Sequence, residues 1–327
     1  MDRREATRLL MTAAGGLAAG VGNRAFAQAR HYFDWRPCGA GHVGMRAGGN
    51  VLLWPTPFGA VLVDAKIDAL GATVRREAEA VAGRLAAVII THHHSDHAGG
   101  IPSFSSDVPV HSQSRGVGRR VVAGRELKER FAGGVPDSMG RFLAEVPAGV
   151  SSIVRGDIEA YARTVDRLDA QSFAANVTFR FEDELEAGDD VIQLRHGGRA
   201  HTDNDAWVRI PEANVVHTGD LVFNGMHPFI DVDAGATTVG WQRVLAAVLE
   251  ACDDETIVVP GHGEVTNAAG VRAQWEYFAR LREAVQAGID AGRSRAQVAA
   301  EPPPVFAGLP ERRAAENLEI VFDELGG

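Results

Sequence analysis

The segment Thr91-His92-His93-His94-Ser95-Asp96-His97-Ala98-Gly99-Gly100 concentrates imidazoles and a carboxylate within ten residues. Neutral imidazole nitrogens and carboxylate oxygens are the ligands that zinc and other first-row ions take from proteins. His92 and His94 stand two apart, so in an extended chain both side chains leave the same face and can converge on one ion. Asp96 and His97 follow and can turn toward a second ion, while His93 and Ser95 point elsewhere. A solvated polar loop gives no reason for an aspartate and a further histidine at this spacing. Two cations acting on one water lower its pKa from ~15.7 toward ~7, which makes hydroxide available for hydrolysis. No serine or cysteine nucleophile is then required. Accordingly the chain has no Gly-x-Ser-x-Gly element and no phosphate-cradling Gly-x-x-x-x-Gly-Lys.

Such a loop needs a rigid support. Leu85 to Thr91 is a continuous apolar run, as expected of a strand buried on both faces, and it delivers the histidines at its C-terminal end. Upstream, Val51–Trp54 and Ala60–Asp64 flank Pro55-Thr56-Pro57 and Gly59, which predicts a hairpin. Ile67 to Gly83 has helical spacing. Residues 113–175 show no strand pattern; Val117, Val121 and Val122 predict one helix there, and Ile158, Tyr161, Val165 and Leu168 a second. Strand-like runs follow at Val177–Phe181, Val191–Arg195, Ala206–Ile210 and Asn214–Thr218. A helix is expected over Thr237–Cys252, a strand over Thr256–Pro260 and a further helix from about Ala268 to Ala291. Strands covered by helices on both sides indicate a layered α/β arrangement. With no repeat or linker to divide it, 30–327 reads as one domain with a helical insert at about 113–175.

His-x-His-x-Asp-His resembles the signature of the metallo-β-lactamase superfamily, and further elements of that family follow in order. Ala200-His201-Thr202-Asp203-Asn204, Val216-His217-Thr218-Gly219-Asp220 and Val259-Pro260-Gly261-His262-Gly263 resemble its later metal-binding elements. The resemblance implies a four-layer αββα sandwich and a binuclear centre. His92, His94 and His201 would hold the first ion, and Asp96, His97 and His262 the second. Asp220 and a hydroxide would bridge them, and Asp96 would act catalytically by orienting the nucleophile. The ions implied are two Zn²⁺, with Fe or Mn also accommodated. Asp64, at a strand end, is expected to support a ligand histidine rather than bind metal. His196 and His217 match no motif position and are expected to be buried.

The resemblance fixes reaction type better than substrate. Zinc β-lactamases often carry cysteine at the position of Asp220 and a lysine soon after, whereas Leu221-Val222-Phe223-Asn224 follows here. The segment looks more like the glyoxalase II and lactonase branches, so the expected substrate is a small ester, lactone, thioester or lactam. A dedicated zinc β-lactamase is one alternative. A di-iron oxidoreductase on the same fold is another, although its flavodiiron branch usually has glutamate where His94 stands. Trp54, Phe223 and Trp241 are candidates for pocket walls or for core.

Composition sets the remaining bounds. The 327-residue chain is 45% hydrophobic with a formal charge of −10, which disfavours a surface built to wrap nucleic acid and leaves a small molecule as the expected partner. Oligomeric state is left open. Only Lys66 and Lys128 are lysines. Arg3-Arg4, the apolar Leu9–Gly22 and the small-residue exit Ala25–Ala29 have the order of a secretory signal, twin-arginine-like, over residues 1–29. That order predicts a periplasmic protein. The apolar stretch is shorter than the roughly 20 residues needed to span a bilayer, so no stable membrane insertion is expected. Cys38 and Cys252 are far apart and form no Cys-x-x-Cys, which reads as two unrelated thiols.

Overall fold

The computed structural model describes residues 31–326 apart from 145, 148 and 311; the expected signal segment lies outside them. Two short strands that the sequence pattern did not announce come first, β1 (Asp34–Cys38) and β2 (Gly41–Met45). The expected hairpin follows as β3 (Val51–Thr56) and β4 (Gly59–Val63). Helix α1 (Gly71–Ala82) leads into β5 (Leu85–Ile90), the apolar run. The one-turn α2 (Ser95–Ala98) carries Asp96 and His97, and β6 (Val110–Gln113) comes next. Residues 113–175 then hold α3 (Ser114–Phe131), α4 (Gly140–Ala144) and α5 (Ser151–Thr164) before β7 (Val177–Phe179). These seven strands form one sheet in chain order, antiparallel from β1 to β4 and parallel from β4 to β7.

A second sheet has five strands: β8 (Glu182–Ala187), β9 (Asp190–Arg195), β10 (Trp207–Ile210), β11 (Val215–Phe223) and β12 (Ile257–His262). Its outer face carries α6 (Thr238–Glu250), α7 (Ala268–Asp290), α8 (Arg295–Ala299) and α9 (Ala314–Glu324).

Alternation along the strands sorts the apolar residues into three layers. Leu53, Leu62, Val88 and Ile90 pack outward against Leu70, Val74, Leu127 and Ile158. Their chain neighbours Leu52, Trp54, Val61 and Ile89 face inward against Ile192, Leu194, Val208 and Val259 of the other sheet. Val216, Val222 and Val258 meet Trp241, Leu245, Phe278 and Val321 on the far side. Three apolar layers separate four layers of structure, which is the αββα sandwich. Trp54 therefore belongs to the core between the sheets and walls no pocket.

Cys38 lies in that middle layer and Cys252 packs beside the outer helical layer; both are free thiols. Burial pushes the Cys38 thiol up to about 11. Among the described residues no helix is long and apolar enough to cross a membrane.

Both lysines cap backbone carbonyls. Lys66, wholly buried, donates to the carbonyls of Gly44, Arg46 and Gly49 at 2.8, 2.8 and 2.7 Å. Lys128 closes the end of α3 onto the carbonyls of Asp166 and Leu168. An ammonium offers donors in three directions from one point, which a planar guanidinium does not. Lys66 thereby fixes a turn in which Arg46, Ala47 and Gly48 all have positive φ.

Candidate metal centre

The strand ends of both sheets meet where the polar loop leaves β5. Asp64, just past β4, organises that loop. Its Oδ1 accepts from the Thr91 amide at 2.8 Å, and its Oδ2 accepts from Thr91 Oγ1 at 2.9 Å and from His97 Nδ1 at 2.7 Å. Thr91 Oγ1, having donated to Asp64, can only accept from His92 Nδ1 at 3.1 Å. These contacts assign a proton to Nδ1 of both His92 and His97. Their Nε2 atoms are left facing the site; burial works against a charge on His97, but Asp220, Asp64 and Asp96 raise it well above the ordinary imidazole value.

His94 and His201 are oriented the same way by other partners. His94 Nε2 donates to Asp231 Oδ2 at 2.7 Å, so its Nδ1 carries the lone pair. His201 Nδ1 donates to the Phe229 carbonyl at 2.8 Å, which leaves Nε2 bare. His94 Nδ1 then lies 3.0 Å from His92 Nε2 and 2.9 Å from His201 Nε2. Three lone pairs converge with no proton between them, an arrangement that suits a cation and little else. Burial and the neighbouring imidazoles push His201 down to about 3, and His92 in the same direction.

Asp220 completes this group and begins a second. Its Oδ2 is 3.4 Å from His201 Nε2 and 3.7 Å from His92 Nε2. Its Oδ1 is 3.0 Å from His97 Nε2 and 3.4 Å from His262 Nε2, yet it is buried without a hydrogen-bond partner. Asp96 Oδ2 faces the same pair, 3.2 Å from His262 Nε2 and 3.8 Å from His97 Nε2. Burial opposes ionisation of Asp220, but His262 and His97 hold it well below the usual carboxylate range. The strand pairing of β11 with β12 shifts at Gly219, and such an irregularity re-aims the following side chain. Gly261 lets β12 pass: a Cβ there would stand 2.0 Å from Asp220 Oδ1. Gly49 does the same for His97, whose ring a Cβ would also meet at 2.0 Å.

The structure thus brings together all seven residues singled out in the sequence. His92, His94, His201 and Asp220 form one cluster able to hold an ion, and Asp96, His97 and His262 a second. The orphaned Asp220 oxygen, the converging nitrogens of His92, His94 and His201 and the hard–borderline donor set fit a pair of divalent cations sharing one carboxylate. His93 turns aside: its amide donates to Asn204 Oδ1 and its Nδ1 accepts from Asn204 Nδ2. His93, His94 and Asp231 are also close enough to share an ion, but the His94–Asp231 hydrogen bond already occupies them. His196 and His217 are buried and bonded to the carbonyls of Asp205 and Asn50. Phe223 stacks on His262, with centroids 5.1 Å apart, and Trp241 backs His201 at 5.3 Å. Helix α3 reaches the centre through Arg119, bidentate to Asp203 at 2.9 and 2.8 Å, and through buried Arg120 on Asp68.

Asp231, the Phe229 carbonyl, Thr91 and Asn204 were not found from sequence. Thr91, at the strand end, and Asn204, inside the segment around His201, carried a signal; Asp231 lies in the irregular run Phe229-Ile230-Asp231-Val232-Asp233 and acts through folding alone. Asp231→Ala is expected to weaken metal binding about 10- to 100-fold, since a ligand imidazole loses the acceptor that orients it. Competition with a chromophoric chelator measures this, and unchanged affinity would remove Asp231 from the support of the centre.

The family model described as Metallo-beta-lactamase superfamily matches residues 51–262, well over half of the chain. The chain belongs to the metallo-beta-lactamase superfamily. Solved structures agree on the fold. A double mutant of the sec-alkyl sulfatase PisA1 superposes with a TM-score of 0.63 at 16% identity, covering 89% of this chain and 49% of that one. This chain therefore spans about half of the sulfatase. The metallo-beta-lactamase from Hirschia baltica gives 0.51 at 18% identity, covering 75% and 96%. FIM-1 from Pseudomonas aeruginosa, solved in its mono-zinc form, gives 0.50 at 13%, covering 76% and 95%. At these identities the likeness is one of fold. No curated protein matches the chain.

Proposed function

We propose that this superfamily member is a hydrolase working with two divalent cations, zinc in the first instance, on a small ester, lactone, thioester or lactam. One observation carries the reading: two clusters of imidazoles and carboxylates share Asp220, whose Oδ1 is otherwise unpartnered. Bound there, the cations would supply hydroxide at neutral pH and polarise the scissile carbonyl.

The chain's own residues do the rest. His92, His94 and His201 each have one ring nitrogen committed to a fixed partner, which aims the other at the site. Burial works against ionisation of Asp96, but His97 and His262 keep it below the usual carboxylate range. Its side chain is 33% exposed, more than any other member of the centre, so it meets water at the mouth. Asp96 is thus placed to orient the attacking water and accept its proton. Asp220 in place of cysteine, with no lysine nearby in sequence, supports esters, lactones and thioesters over dedicated β-lactam hydrolysis. FIM-1 supports zinc. Export to the periplasm belongs to the same proposal and rests on the arginine pair and apolar run at the start of the chain.

Metal analysis of the purified protein combined with a turnover panel tests this. The panel holds simple lactones, aryl esters, thioesters, nitrocefin, phosphodiesters and an alkyl sulfate. The expected result is about two zinc per chain and turnover of one class, with Asp96→Ala lowering kcat about 10²- to 10⁴-fold. Two irons with no hydrolysis would overturn the reading in favour of an oxidoreductase.

A further inference from the structure

The side-chain exposures show where this centre opens. His92, His97, His201 and Asp220 are at most 4% exposed, whereas His94, Asp231, His262 and Asp96 reach 16, 18, 23 and 33%. Beyond the His94–Asp231 side stands Phe229, half-buried, its ring centre 5.7 Å from that of His94 and 6.1 Å from that of His201. The guanidinium carbon of Arg313 lies 4.3 Å from the centre of the Phe229 ring. A cation from the far C-terminal segment is therefore one aromatic ring removed from the metal ligands.

This placement is built, not casual. Arg313 precedes α9 with φ of 72°, a left-handed conformation that side-chain-bearing residues seldom adopt. Its carbonyl accepts from the Asn317 amide at 2.9 Å. One turn on, Asn317 Nδ2 donates to the Pro228 carbonyl and to Tyr277 Oη, both at 3.0 Å. Tyr277 Oη in turn meets His227 Nδ1 at 2.8 Å. The helix that carries Arg313 is thus tied to the same loop that supplies Phe229 and Asp231. The guanidinium face is covered by Phe229, while its side chain remains 27% exposed. Glu316, itself 51% exposed, touches Nη1 at 3.3 Å. A face-stacked guanidinium keeps its edge for a planar, two-oxygen partner.

We propose that Arg313 is a specificity-determining residue that binds a carboxylate on the substrate, remote from the bond being cleaved. The substrate class of the preceding section then narrows to a carboxylate-bearing ester, lactone or thioester; the inference rests on that reading for its substrate. Binding of the carboxylate displaces Glu316 from the guanidinium. No bond to Arg313 forms or breaks.

Two readouts test it, one with turnover and one without. Arg313→Asn suits the left-handed backbone, and Arg313→Lys keeps the charge but loses the fork. With 4-nitrophenyl acetate and mono-4-nitrophenyl glutarate, Arg313→Asn is expected to lower kcat/KM for the glutarate about 10- to 100-fold through KM, and to change the acetate less than twofold. Arg313→Lys falls between. Glu316→Gln raises kcat/KM for the glutarate alone, which a merely structural Arg313 would not produce. Separately, fluorine NMR titrates the full chain with 3-(4-fluorophenyl)propanoate and with its neutral amide. Wild type is expected to prefer the carboxylate at least fivefold, and Arg313→Asn to lose that preference.

If wild type turns over neither ester, aryl esters leave the substrate range of the preceding section, and the NMR preference alone decides Arg313. A preference that is absent in wild type, or that survives in Arg313→Asn, overturns the proposal.

Discussion

Asp220→Asn is expected to abolish turnover, lowering kcat/KM by at least about 10³-fold, and to reduce bound metal from about two ions per chain to one or none. The asparagine keeps the shape, so the space beside Gly261 remains filled. What disappears is the one charge that both histidine clusters face, from His97 at 3.0 Å to His92 at 3.7 Å. An amide would offer an uncharged oxygen to one cluster and turn N–H donors to the other, so neither cluster would keep the anionic oxygen that it faces. Metal counting by plasma emission, alongside circular dichroism to confirm folding, reads the result. Two tightly held ions and activity within tenfold of wild type would refute a shared carboxylate.

The second large effect is on stability. Lys66→Met leaves three carbonyls, those of Gly44, Arg46 and Gly49, without a donor in a turn that cannot rotate them to water. Each orphaned buried acceptor costs about 1–3 kcal/mol, so a loss of at least about 3 kcal/mol is expected, a large part of the ~5–15 kcal/mol that holds a domain folded. Burial pushes the Lys66 amine down to about 7 from the ordinary 10.5. Between those values the unfolded chain holds more protons than the folded one, so the contribution of Lys66 to stability rises with pH. The gap between wild type and Lys66→Met should therefore be wider at pH 9 than at pH 7. Urea melts at both values measure it, and a gap that is small or narrows with pH would show that methionine satisfies this turn. The same turn donates the Gly49 amide to the Asp96 carbonyl, so the variant should also bind metal more weakly.

The centre was legible because its ligands sit at strand ends in short, dense motifs. His92 to His97 follow the apolar run of β5, Asp220 and His262 lie in strands that the sequence marks as apolar, and His201 stands in the loop between β9 and β10 within a short motif. Elements whose composition contradicts their structure were missed. Strand β8, Glu-Asp-Glu-Leu-Glu-Ala, is an edge strand exposed to water, and its acidic residues read as loop. Strand β1, at the edge of the other sheet, contains Arg36 and Pro37 and hid for the same reason. Asp231 and Arg313 carry no local pattern at all. They gain their roles from chain segments brought beside His94 by tertiary contacts, and Arg313 lies about 50 residues beyond the last motif. Trp54 was ambiguous between wall and core because alternation along β3 reports which face a residue takes, not which layer that face meets.

The two capped lysines have a chemical corollary. An enzyme of the kind proposed above, opening activated acyl compounds, would live among electrophiles, and free amines are what such electrophiles modify. Here Lys66 is sealed in the interior and Lys128 is half-buried with its ammonium already bonded, while the remaining cations are arginines. Guanidinium groups, protonated at any working pH, are poor nucleophiles. The side chains of this protein therefore present almost no target for adventitious acylation, and the charge pattern that its surface shows to a substrate survives exposure to that substrate.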